Sequence, residues 1–133
     1  MQKIEHIGIA VRDISVANET YAKLLGRPHY KTEKVESEAV ETSFFQIGDS
    51  KIELLQATNP DSAIAKYIEK RGEGIHHIAF AVDNIEVEVE RLKSEGFRPI
   101  STAPKQGADG KLVFFFHPKS ANGVLIELCQ DIK

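Results

Sequence analysis

Four residues of this 133-residue chain have side chains that hold metal ions and stand in a repeated setting: His6, Glu53, His77 and Glu127. Two imidazoles and two carboxylates make a nitrogen and oxygen donor set suited to divalent zinc, manganese, cobalt or nickel. Glu53 lies between Ile52 and Leu54, and Glu127 between Ile126 and Leu128. A carboxylate in so apolar a strand is costly unless it is paired or ligating. The competing reading turns both glutamates to solvent by strand alternation and leaves the histidines on a sheet surface. Their paired placement weighs against it.

Other titratable residues compete less well. His76 points to the opposite face from His77 in a regular strand. A carboxylate at Glu41 could take a proton from a carbon acid if its pKa and distance suited the work, although position alone reads it as a solvated strand residue. His29 and His117 read as structural or exposed. Cys129 is the only cysteine, so it can form neither an internal disulfide nor a cysteine-based metal cluster, and it reads as a small half-buried side chain.

The elements that must position these residues are written twice. Placing His6 on His77 aligns His-Ile-x-x-Ala-Val-x-x-Ile-x-Val in both halves, six matches in eleven residues, and placing Glu53 on Glu127 aligns Ile-Glu-Leu-x-Gln. The offsets of 71 and 74 differ by a small insertion. Common order at nearly common spacing implies an internal duplication of strand, helix and three strands.

The first copy opens with an apolar strand over 6–11. A helix follows, with Ser15 as its N-cap, Val16, Tyr21, Leu24 and Leu25 on its buried face, and Gly26 as its C-terminal cap. Extended segments are expected over 29–34, 39–47 and 51–56, the last two joined by a Gly48-Asp49-Ser50 hairpin turn. A short helix over 62–70 presents Ile64, Ala65, Tyr67 and Ile68 and links the copies. The second copy has a strand over 77–82, then a helix capped by Asp83 with Glu86 whose buried face is Ile85, Val89 and Leu92. Strands over 97–101, 111–117 and 124–130 complete it, with a loop over 104–110 whose glycines suit a mobile rim. The expected organisation is a single domain over 1–133 with modules at 4–58 and 75–131.

Composition narrows the classes of function. With 41% apolar and 28% charged residues the chain is globular rather than disordered. Seventeen basic against twenty acidic residues give a net charge of −3, without the basic excess of a nucleic-acid surface. No apolar run approaches the roughly 18 residues of a membrane span, and no basic segment followed by an apolar one opens the chain. A cytoplasmic protein without nucleic-acid or membrane partners is expected.

The opening Glu-His-Ile-Gly-Ile-Ala-Val, the central Gly74-Ile-His-His-Ile-Ala-Phe, the Phe116-His-Pro-Lys119 turn and the terminal Gly123-Val-Leu-Ile-Glu-Leu-Cys-Gln130 resemble the vicinal oxygen chelate superfamily and, within it, the methylmalonyl-CoA epimerases. The resemblance runs from about Ile4 to Gln130. It implies an α+β fold of two paired βαβββ modules forming a curved mixed sheet around a metal cavity, often in a homodimer. It implies His6, Glu53, His77 and Glu127 as ligands of one divalent ion per subunit, with cobalt, manganese, nickel, zinc and magnesium all open. It also implies epimerisation of methylmalonyl-CoA at C2 by α-proton abstraction, a metal-stabilised enediolate and reprotonation on the opposite face, with Glu41 and Glu127 as the proton carriers. Some epimerases have glutamine where this chain has Glu53, which also resembles the glyoxalase I ligand set, so a lactoylglutathione lyase or a small-molecule-binding protein is the alternative. Lys119, Lys111, Lys105 and Arg98 are candidates for CoA phosphate contacts.

Overall fold

The computed structural model describes residues 1–132, in which eight strands and three α-helices follow the doubled order. The first module comprises β1 (Lys3–Ala10), α1 (Ile14–Leu25), β2 (Lys31–Val35), β3 (Val40–Ile47) and β4 (Ser50–Ala57). Helix α2 (Ala63–Arg71) follows, and the second module comprises β5 (Gly74–Ala81), α3 (Ile85–Ser94), β6 (Lys105–Gln106), β7 (Lys111–Phe116) and β8 (Leu125–Asp131). Contacts divide the chain into two compact units: Met1–His6 with the chain from His77 onward, and Ile7–His76.

Within the Ile7–His76 unit the strand order is β2-β3-β4-β1. The β3–β4 hairpin is antiparallel and closes through Gly48, whose φ of 55° falls in the left-handed region that glycine tolerates. Val11, Ile14, Ala17, Phe45 and Leu54 form one core cluster, in which α1 covers one face of the hairpin. Ala10, Val40, Leu55 and Ile64 form another, in which α2 covers the opposite face. The expected helix over 62–70 is thus present, with Ser62 as its N-cap.

The first helix differs from expectation in two respects. Its N-cap is Asp13, whose carboxylate accepts the Ser15 and Val16 amides, rather than Ser15. The buried side is Ile14 and Ala17, joined by Tyr21, Ala22 and Leu25, whereas Val16 and Leu24 are 59% and 70% exposed. Small alanines fit the close helix-to-sheet approach, while a pattern read by hydrophobicity alone favours the larger side chains. Gly26 closes the helix at φ 76°, as expected.

Within the other unit the order is β1-β5-β8-β7-β6, with β5 and β8 parallel and β8, β7 and β6 antiparallel. Its principal core holds Val82, Ile85, Val89, Leu92, Phe114, Phe116 and Leu128, so α3 buries the predicted face. The α3 N-cap is Asn84, which accepts the Val87 amide, not Asp83. The expected strand over 97–101 is an irregular run along β7: Ile100 and Ser101 donate to the Phe115 carbonyl, and Pro99 makes an isolated bridge to Phe116. Proline has no amide to continue a ladder, so the regular pairing is taken up instead at Lys105–Gln106, inside the expected loop.

The duplication reaches individual hydrogen bonds. Gln56 accepts the Ile14 amide at 2.7 Å, and Gln130 accepts the Ile85 amide at 2.7 Å. Val11 donates to the Leu55 carbonyl and Val82 to that of Cys129, both at 2.9 Å. The glutamine of each Ile-Glu-Leu-x-Gln motif therefore satisfies the start of its own module's helix, which otherwise leaves amides without partners.

Candidate metal centre

His6 near the start of β1, His77 on β5 and Glu127 on β8 converge inside one unit. All three are buried, with 4%, 5% and 6% exposure. His6 Nε2 lies 3.0 Å from His77 Nε2 and 3.3 Å from Glu127 Oε1, and His77 Nε2 lies 2.9 Å from that same oxygen. Three atoms that each offer a lone pair repel at such distances unless a proton or a cation sits among them. Donor atoms at about 2.1 Å from a common ion stand roughly 3.0 Å apart when they share an octahedral edge and about 3.4 Å apart in a tetrahedron. The observed triangle fits a divalent cation.

The parallel β5–β8 register explains the convergence. His77 pairs with Leu125 and Ala79 with Glu127, so the histidine and the glutamate project from one sheet face two residues apart. Phe115, directly opposite Glu127 on β7, sets its ring edge-on to His77 at a centroid distance of 6.1 Å and forms an apolar wall. Burial raises the Glu127 pKa, but its contacts with the His6 and His77 rings outweigh it and hold the carboxyl well below the usual range. Its other oxygen, Oε2, accepts the thiol of buried Cys129 at 3.3 Å.

The remaining predicted residues lie in the Ile7–His76 unit. Glu53 is buried at 4% exposure on β4, opposite Phe44 of β3. That register repeats the pairing of Glu127 with Phe115, so both motif glutamates face a phenylalanine. Glu41 is half-buried on β3 opposite Gln56, the glutamine that caps α1. Strand alternation sets Glu41 on the hairpin face packed by α1 and Glu53 on the other, so the two carboxylates project in opposite directions. Thr42, neighbour to Glu41, shares the Glu53 face, and its buried hydroxyl has no partner among the described residues.

His76 stacks edge-on against Tyr67 at 4.9 Å, away from the triad position of its neighbour His77. His29 packs against Phe45 at 5.8 Å, and His117 accepts the Lys119 amide at the start of a 3₁₀ turn over Pro118–Ala121. Lys111 is mostly covered and is paired with Asp131 and, at 3.9 Å, with Glu5. Glu5 is the residue that sequence reasoning missed: it is 4% exposed and its Oε1 lies 2.7 Å from His6 Nδ1. The signal used for Glu53 and Glu127, an apolar residue on each side, did not mark it, because Glu5 lies between Ile4 and His6.

This donor set on paired βαβββ modules defines a class. The chain belongs to the Glyoxalase/Bleomycin resistance protein/Dioxygenase superfamily, whose family model matches residues 5–115. Within it the chain is 39% identical over 129 residues to the human mitochondrial methylmalonyl-CoA epimerase, covering 96% of this chain and 73% of the relative. It is 38% identical to the ethylmalonyl-CoA/methylmalonyl-CoA epimerase of Cereibacter sphaeroides, covering 96% and 97%. A solved methylmalonyl-CoA epimerase in complex with methylmalonyl-CoA and NH4+ superposes with a TM-score of 0.94 at 34% identity, covering 98% of this chain and 95% of that one.

Proposed function

We propose that this protein is a metal-dependent methylmalonyl-CoA epimerase that interconverts the (R) and (S) epimers at C2. The observation that carries the reading is the buried triangle of His6, His77 and Glu127, in a chain similar over nearly its whole length to epimerases of that substrate. His6, His77 and Glu127 are the proposed ligands, and Glu53, buried in the equivalent register, is the proposed fourth. Bound there, a divalent cation would act as a Lewis acid toward the substrate oxygens flanking the acidic carbon. The reading includes one such ion per subunit, a homodimer, a cytoplasmic location and a single domain of two modules.

The reaction breaks the C2–H bond, leaves its electron pair shared with the thioester and carboxylate carbonyls, and returns a proton to the opposite face. Glu127 is the first proposed proton carrier; the two imidazoles favour its ionised form, and the lowered pKa makes it a weak base for the acidic C2–H. Its Oε1 is held by the two imidazoles, and the proton work therefore falls to Oε2, beside the Cys129 thiol. Phe115 and the buried surroundings exclude water, which sharpens every charge interaction at the reacting carbon. Glu41 is the second proposed proton carrier, the role that the resemblance implies for it.

A chiral assay of methylmalonyl-CoA, run beside a hemithioacetal assay with glutathione and methylglyoxal, tests the reading. Equilibration of the two epimers is the expected result, and turnover of the hemithioacetal alone would overturn it. In the same assay, Glu41→Gln is expected to keep metal binding and to lose most of its epimerisation. Activity equal to wild type would remove Glu41 from the proton transfer.

A further inference from the structure

His6 and His77 occupy equivalent places in the duplication, but their neighbours do not. The 71-residue offset that matches His6 to His77 matches Glu5 to His76. His76 turns to Tyr67, whereas Glu5 turns back onto its own neighbour, 2.7 Å from His6 Nδ1. A carboxylate only accepts at neutral pH, so this contact requires the proton of neutral His6 to sit on Nδ1. The lone pair is then on Nε2, the atom that enters the triangle with His77 and Glu127.

Burial of Glu5 is compensated from its other side. Lys111 Nζ lies 3.9 Å from Glu5 Oε2 and also pairs with Asp131, directly opposite Lys111 in the β7–β8 register. Asp131, Lys111, Glu5 and His6 thus form a line of contacts from the sheet surface to the triad.

We propose that Glu5 is a positioning residue for the metal centre: with Lys111 behind it, it fixes the tautomer and ring orientation of His6 so that Nε2 is presented to a divalent cation. This rests on the reading of the triad as a metal site. Loss of such an outer partner typically lowers metal affinity by roughly 10–100-fold. Glu5→Gln keeps an acceptor oxygen for Nδ1–H but loses the charge, so it should fall between wild type and Glu5→Ala.

The test is calorimetric titration of the metal-free protein with cobalt(II) or zinc(II), with nitrogen-15 imidazole spectra of the metal-free protein recorded at a pH where His6 is neutral. The expected result is Nδ1–H at His6 in wild type and Glu5→Gln, a shift toward Nε2–H in Glu5→Ala, and metal affinities descending in that order. An unchanged His6 tautomer in Glu5→Ala would overturn the proposal, as would affinities within twofold of wild type in both variants. Should Glu5→Ala fail to fold, Glu5→Gln carries the test: affinity equal to wild type together with an Nε2–H spectrum would overturn it. Failure of wild type itself to bind either ion would reject the metal reading, while the spectra would still decide what Glu5 does to His6.

Discussion

The two copies of the repeated module solve one structural problem identically and one chemical problem differently. Each places an Ile-Glu-Leu-x-Gln strand so that leucine enters the helix-packed core, glutamine caps the helix, and glutamate faces a phenylalanine. The residue before the first-strand histidine breaks the parallel. Glu5 braces His6, whereas His76 packs on Tyr67. Framework positions are constrained by packing and by backbone amides that both copies share, so duplication preserves them. A histidine's second nitrogen needs only some suitable environment, and each copy supplies its own.

Substitutions in matched pairs sharpen this contrast. The largest effect is expected at the triad, where His6→Ala and His77→Ala should each weaken cobalt(II) or zinc(II) binding by more than the roughly 100-fold upper range for an outer-shell loss, read by calorimetry. Next come the framework leucines: Leu54 and Leu128 are both fully buried, and alanine at either should cost about 2–5 kcal/mol in urea unfolding. Markedly unequal costs would show that the copies carry different shares of the stability. Gln56→Leu and Gln130→Leu strand the amides of Ile14 and Ile85 and should each cost about 1–3 kcal/mol by the same measurement. The smallest effect belongs to His76→Ala, which removes a ring contact worth about 0.5–1.5 kcal/mol and should leave metal affinity unchanged. A loss of metal binding there would erase the distinction between the two histidine neighbours.

Much of this arrangement was legible in the sequence because the duplication is written in residues that do structural work. Pairing His6 with His77 selected the member of the His76-His77 pair that lies beside His6 and Glu127, and Gly26 and the Gly48 hairpin were read from the backbone conformations that glycine permits. The helix starts were less legible. Asp13 and Ser15, or Asp83 and Asn84, compete for one cap, and the winner depends on where the preceding strand is released by its partner, at Val11 to Leu55 and at Val82 to Cys129. The α1 face was misread because Ala17 and Ala22 bury less surface than Val16 and Leu24 yet fit where the helix meets the sheet. The direction of Glu41 needed register as well as position. Only the pairing of β3 with β4 shows that it projects away from Glu53. Glu5 was hidden by its own neighbour, since alternation along a strand gives no reason for two adjacent side chains to meet.

The most direct measurement of the central claim is exchange of the C2 proton of methylmalonyl-CoA in deuterium oxide, followed by NMR for metal-loaded wild type, chelator-treated protein and His77→Ala. Rapid exchange in the loaded protein, lost on chelation and in His77→Ala, is the result this account predicts. Exchange that survives both treatments, or its absence in fully loaded wild type, would contradict the assignment of His6, His77 and Glu127 as the metal centre of an epimerase.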